Sequence, residues 1–172
     1  DPAGGRTKIQ IMVPGGIHET NYFEPFISDF NNSQSELYLA LAVTPIIAYD
    51  QKLVVLVGAR DAPDIFTLLE ERYKMFAENQ GLLDLTPYIE AEPELIDKFF
   101  PEGLDQFRVN GSIYGIPHPG RNEIFTIWTL SPNPDIAWEI LVMLLEKIAD
   151  DWPEELKVDM QSDPWMVPMP GL

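Results

Sequence analysis

The sequence predicts a three-layer α/β fold: one lobe with a mostly parallel sheet flanked by helices. Two observations carry this. Over the first 80 residues, short β-rich apolar segments alternate with segments of helical period, the pattern of strands joined by crossover helices. A chain of 172 residues with 45% hydrophobic content suits one domain with a real core.

Lys8-Ile9-Gln10-Ile11-Met12-Val13 alternates and is rich in β-formers, a first strand ended by Pro14-Gly15-Gly16. Tyr22, Phe23, Phe26, Ile27 and Phe30 recur at helical spacing, with a stop at Asn31-Asn32-Ser33. Glu36 to Val43 reads as a second strand, and Pro45 to Val57 as a second helix stopped by Gly58. Asp64 to Leu68 is a short buried third strand, and Glu70 to Gln80 a third helix closed by Gly81.

The second half changes character. Pro93 to Phe100 reads as a short helix, and Asn110-Gly111 as the turn of a hairpin spanning Phe107 to Tyr114. Ile116-Pro117-His118-Pro119-Gly120 excludes helix because its prolines are too close. Ile124 to Leu130 is β-rich and apolar. Asn133-Pro134-Asp135 then opens a helix with a capping residue, an N1 proline and an acid suited to the dipole. Its stripe is Ala137, Trp138, Leu141, Leu144, Leu145 and Ile148. Asp163 to Leu172 reads as an extended tail.

A net charge of −17, without a Lys/Arg cluster, argues against nucleic acid and anionic membranes as partners. Its plainest role is solubility. No cysteine is present, which excludes disulfides, thiolate metal sites and cysteine catalysis. No nucleophile elbow or phosphate loop appears. Glu70-Glu71 and Asp150-Asp151 are adjacent on helices and point apart, so they make poor acid–base dyads. Two histidines cannot build a histidine-rich metal site; an all-oxygen calcium site stays open in so acidic a chain, though no EF-hand spacing supports it. The reading is binding rather than catalysis, with no cofactor.

Ligands on parallel α/β sheets sit beyond the carboxyl ends of the strands, so the loops after Val13 and Leu68 are the places to look. Gly15 and Gly16 let a ligand approach the backbone; His18 and Glu19 can hydrogen-bond hydroxyls, the alternative being a plain turn into a helix. Glu70, Glu71 and Arg72 follow the third strand, where the alternative is a solvated helix face. His118 and Arg121 complete the candidate set, with His118 read preferentially as a turn residue. Asp64 reads as structural more than ligand-binding. Trp138 reads as core, while Trp128, Trp152 and Trp165 are open to stacking on rings or to packing.

Four patterns in one order carry a resemblance: Tyr49-Asp50-Gln51-Lys52-Leu53, Ala62-Pro63-Asp64-Ile65-Phe66, Gly81-Leu82-Leu83-Asp84-Leu85-Thr86-Pro87-Tyr88-Ile89 and Asn110-Gly111-Ser112-Ile113-Tyr114-Gly115-Ile116-Pro117. Over residues 7 to 150 the chain resembles the first lobe of extracellular solute-binding proteins of ABC transporters, the sugar-binding type that includes maltose-binding protein. Ser131-Pro132-Asn133-Pro134-Asp135-Ile136-Ala137-Trp138-Glu139 resembles the segment by which that family's chain returns to the first lobe.

The resemblance implies a periplasmic-binding-protein-like lobe with Ile124 to Leu130 in the same sheet as Lys8 to Val13. It implies a sugar solute, an ABC permease as partner, and an extracellular, periplasmic or cell-surface location, with signal sequence and any lipid anchor outside this chain. It places Glu71-Arg72 where an acidic–arginine pair contacts sugar; Leu68 stands where the family often has an aromatic. One departure is large. Family members continue into a second lobe, but here the hinge-like Tyr114 to Pro117 runs almost directly into the return strand.

The organisation expected is therefore a lobe over 1–162, its segments 7–120 and 121–160 joined by a short surface turn at Pro119 to Glu123, and a tail over 163–172. The former cleft is expected to be unusually polar or covered, the tail being one candidate cover. The alternative to solute binding is a protein-interaction or self-associating module, pairing with a second chain or as a homodimer.

Overall fold

A computed structural model describes residues 1–119 and 121–151. In chain order the elements are β1 (Thr7–Pro14), α1 (Ile17–Ser33), β2 (Leu37–Thr44), α2 (Ile46–Gly58), β3 (Ile65–Leu68) and α3 (Glu70–Glu78). Then follow α4 (Thr86–Ala91), α5 (Pro93–Phe99), a single 3₁₀ turn (Asp105–Phe107), β4 (Arg108–Val109), β5 (Ser112–Ile113), β6 (Gly115–Pro117), β7 (Ile124–Ile127) and α6 (Pro134–Asp151).

Five strands form one sheet in the order β2-β1-β3-β7-β6. β2, β1 and β3 are mutually parallel; β7 runs against both β3 and β6. Four strands therefore share a direction and β7 alone is reversed. α1 packs along β2, α2 against β1, α3 against β3 and α6 against β7. Every residue of β3 and β7 is buried, as central strands covered on both faces require. The expected stripe of α6, Ala137 through Ile148, is buried throughout; each buried leucine of this kind contributes roughly 1.5–3 kcal/mol.

β7 lies in the sheet that holds β1, as the resemblance implied. It is shorter than the expected Ile124 to Leu130. The ladder thins to an isolated bridge between Leu82 and Trp128, and Ser131 N–H then turns back onto Trp128 C=O at 3.0 Å. The Asn110-Gly111 hairpin forms β4 and β5, a two-stranded ribbon apart from the main sheet. Both turn residues have positive φ, 51° and 88°, the conformation a two-residue hairpin turn demands.

Three helix ends are corrected. α1 continues through Ser33 because the Asn31 side chain does not break it: its amide exchanges hydrogen bonds with Leu39 N–H at 2.8 Å and C=O at 2.9 Å, tying the helix to β2. α2 absorbs Gly58 and ends where Arg60 turns left-handed. α3 ends at Glu78, two residues early; Gln80 takes the left-handed conformation and Gly81 N–H reaches Phe76 C=O at 2.9 Å. Asp64 is structural: it accepts from Gln10 N–H at 2.8 Å and from the Ser131 hydroxyl at 2.6 Å. The tail expected over 163–172, with Trp165, lies outside the described residues, as do Trp152 and Gly120.

Candidate functional site

The chain leaves β1 for β2 on one side and reaches β3 on the other, so β1 and β3 flank the point where strand order reverses. Open α/β sheets form their ligand crevice at such a point. β1 pairs with β2 along eight residues but with β3 only at Ile11–Ile65 and Met12–Phe66. Toward the carboxyl ends, past these rungs, the Tyr49 side chain bridges the two strands. The Tyr49 hydroxyl, from α2, donates to Thr67 C=O at 2.8 Å, accepts from Thr67 N–H at 3.1 Å and lies 3.1 Å from Met12 C=O. Burial holds the Tyr49 pKa well above its ordinary value, so it stays a neutral phenol. The parting leaves a crevice of about 90 Å³ lined by Pro14, Ile46, Tyr49, Thr67, Leu68 and Glu123, with Asp50 and Leu69 beside them.

Gly15 and Gly16 connect β1 to α1. Gly15 adopts φ 148°, and a Cβ there would fall 2.3 Å from the Glu19 carboxylate. Only glycine leaves room for that carboxylate to turn back and accept Gly16 N–H at 2.7 Å, which stabilises the helix start. The other Glu19 oxygen lies 3.4 Å from Arg121 Nη1.

Arg121 and Glu123 come from the β6–β7 connection, and their burial corrects the expected surface turn. The side chains of Arg121 and Glu123 are 4% and 7% exposed, and Arg121 Nε stands 3.9 Å from Glu123 Oε2. His118 N–H donates to Glu123 C=O at 2.8 Å, and Glu123 N–H to Arg121 C=O at 2.9 Å, so the segment folds inward as a tight hairpin end. The result is a Glu19–Arg121–Glu123 row beside the crevice, with Arg121 and Glu123 buried and Glu19 partly buried. Burial pushes the Glu123 carboxyl up to about 7; Arg121 pulls it down and Glu19 pushes it up. His118 is buried and stacks on Phe125 with ring centroids 5.8 Å apart. Burial, helped by Arg121, pushes its pKa down to about 3, so its ring is neutral. It is a core residue, neither an exposed turn nor an open contact.

The remaining candidates are dispersed. His18 is exposed in the first turn of α1. Glu70 and Glu71 are exposed on α3, Glu70 pairing with Lys74 at 3.3 Å. Arg72 meets Asp50 at 3.2 Å, both about half-exposed, which brings Arg72 to the crevice mouth. Trp128 and Trp138 are buried; Trp138 packs on Tyr88 at a 30° tilt, with ring centroids 5.4 Å apart, and donates to Glu92 at 3.3 Å. Neither is available for a sugar ring.

The reading from sequence missed Glu123, Thr67 and Tyr49. The one available signal was a carboxylate directly before a β-rich, largely apolar segment, Glu123-Ile124-Phe125-Thr126-Ile127. Ile17, Ile46, Ile47 and Leu69 are exposed apolar residues at the starts of α1 and α2 and just before α3; Ile46 and Leu69 line the crevice, and Ile47 is 97% exposed. Among the described residues no group of three His, Cys, Asp or Glu could hold a metal ion. No described helix is long and apolar enough to cross a membrane.

No family model matches the sequence, and no curated protein matches it. Solved structures do. An ABC substrate-binding protein of Listeria monocytogenes, in complex with cycloalternan, is similar with TM-score 0.55 and 24% identity over 66% of this chain and 29% of that one. A sugar-binding protein of Xanthomonas citri gives TM-score 0.54 and 24% identity over 67% of this chain and 28% of the other. A solute-binding protein of Thermotoga lettingae bound with α-D-tagatose gives 0.56 and 19% over 64% and 28%. The likeness is one of fold: the sheet and its helices have the periplasmic-binding-protein architecture of these sugar-binding ABC proteins. The chain spans little more than a quarter of their length.

Proposed function

We propose that this chain binds a small carbohydrate solute over the crevice between β1 and β3, as a single-lobe substrate-binding component of an ABC importer acting outside the cytoplasmic membrane. The observation that carries the reading is the crevice itself, set at the strand-order reversal of a fold shared with sugar-binding proteins. The six-residue β6–β7 connection stands, on this reading, in place of a second lobe.

Binding by one lobe has a cost in affinity. Pockets that hold small molecules bury roughly 70–90% of the ligand surface, and a crevice of about 90 Å³ admits one edge of a sugar ring rather than the ring. Asp50 lines it with Arg72 paired to it, Gly15 and Gly16 follow the lining Pro14 in the chain, and Glu19 is already held by Gly16 and Arg121. Dissociation constants in the millimolar range follow, about −4 kcal/mol. Calorimetric titration against a panel of mono- and oligosaccharides tests this. Saturable millimolar binding to one sugar class supports it; no heat from any saccharide refutes it.

The exposed apolar residues Ile17, Ile46, Ile47 and Leu69 favour a second reading, in which this face pairs with a second copy of the chain. Sedimentation equilibrium decides it. A dimer that Ile47→Asp converts to a monomer supports self-association, and a monomer at all concentrations excludes it.

A further inference from the structure

The crevice discriminates by hydrogen-bond polarity. Pro14 brings no N–H, Ile46, Leu68 and Leu69 bring apolar walls, and the Tyr49 hydroxyl is spent on Thr67. Two polar atoms of the lining residues remain, Glu123 Oε1 and Thr67 Oγ1, both sealed from bulk solvent and without a hydrogen-bond partner among the described residues. Leaving such atoms unmade is expensive, about 1–3 kcal/mol each and more for a charged group. Above pH 7 the Glu123 carboxylate is ionised and only accepts, so the group missing there is a donor.

Charge narrows the class. With Glu123 ionised, the row Glu19–Arg121–Glu123 carries one net negative charge, and Asp50, paired with Arg72 at 3.2 Å, lines the same crevice. Its volume exceeds the roughly 15 Å³ one water needs on this measure, and suits an NH₃⁺ head on a short methylene stem against the apolar walls.

We propose that this crevice is a site for a primary ammonium group, accepted by Glu123 Oε1 and Thr67 Oγ1, with Asp50 at the mouth. The ligand class is a small primary alkylamine, or a solute that presents one. The inference deepens the solute-binding reading, on which it rests for the location of the site, by naming the group that enters. An ammonium ion requires ionised Glu123. Its affinity therefore falls about tenfold for each pH unit below 7. The charged or titratable groups that set this are Arg121 and Glu19 beside the carboxylate and Tyr49 across the crevice.

The test is an amide-shift titration of the full chain with ethylammonium chloride at a pH above 8, against tetramethylammonium chloride at equal ionic strength. The expected result is saturable shifts at Thr67, Leu68 and Leu69 with ethylammonium alone, weakened at least several-fold by Thr67→Val and abolished by Glu123→Gln. Thr67→Val keeps the side chain's shape, so it remains informative should Glu123→Gln unfold. No saturation up to about 100 mM, an equal response to tetramethylammonium, or full binding by Thr67→Val overturns the inference. Saccharide binding without ammonium binding overturns this inference and leaves the solute reading intact; ammonium binding without any saccharide binding does the reverse.

Discussion

Glu123→Gln is the most informative single change because Glu123 and His118 pull stability in opposite directions with pH. The Glu123 carboxyl rises on folding from 4.5 to about 7. Its contribution is fully present below 4.5 and is lost as pH rises through 7. His118 falls from 6.5 to about 3. Its contribution is present above 6.5 and is lost as pH falls toward 3. Each pH unit between a group's folded and unfolded values is worth about 1.4 kcal/mol. Between pH 5 and 6.5 the two contributions have equal slope and opposite sign, so in the wild type they largely cancel. Glu123→Gln removes one of them. The variant loses about 2 kcal/mol between pH 6.5 and pH 5 relative to wild type, left by the uncompensated His118. Arg121 keeps Glu19 as a partner, 3.4 Å away, in either chain. Urea unfolding of both proteins at several pH values measures the difference directly, since all other titrating groups are common to the two. Parallel stability curves over that interval would refute the reasoning.

Three further substitutions probe the scaffold that holds the crevice. Tyr49→Phe leaves Thr67 N–H and C=O buried without their partner and costs about 1–3 kcal/mol in urea unfolding. Asp64→Ala removes the acceptor shared by Gln10 N–H and the Ser131 hydroxyl and costs about 2 kcal/mol with an unchanged denaturant slope. Gly15→Ala places a methyl against the Glu19 carboxylate at an unfavourable φ, destabilising by about 1–3 kcal/mol; combined with Glu19→Ala the two losses sum to less than their separate values, because the clash is gone.

Much of the fold was legible because local pattern and tertiary role agree. β1 alternates, with Ile9 and Ile11 buried and Lys8 and Gln10 outside, and α6 carries its cap, proline and stripe in order. What escaped was decided at a distance. β6 is three residues long and exists only because β7 pairs with it. α4 begins at Thr86-Pro87 inside a segment read only as part of a motif. The Gly15-Gly16 turn and the Glu19 carboxylate that caps it were readable from a glycine pair followed by an N-terminal acid. Glu123 was not: it looks like one more surface carboxylate in an acidic chain until the β6–β7 hairpin carries it beneath Arg121. Trp128 and His118 failed the other way. Residue types suited to contacting a solute proved buried: Trp128 follows β7, which lies inside the sheet, and His118, just after the edge strand β6, is covered by stacking on Phe125.

The central claim is that a solute binds where β1 and β3 part. The most direct measurement is amide-shift mapping of the full chain during titration with the saccharide giving the largest calorimetric response. The account predicts saturable shifts confined to Gly15, Gly16, Asp50, Leu68 and Leu69, around the crevice mouth. Saturable shifts clustered elsewhere, on β2 or the α6 surface, would contradict it.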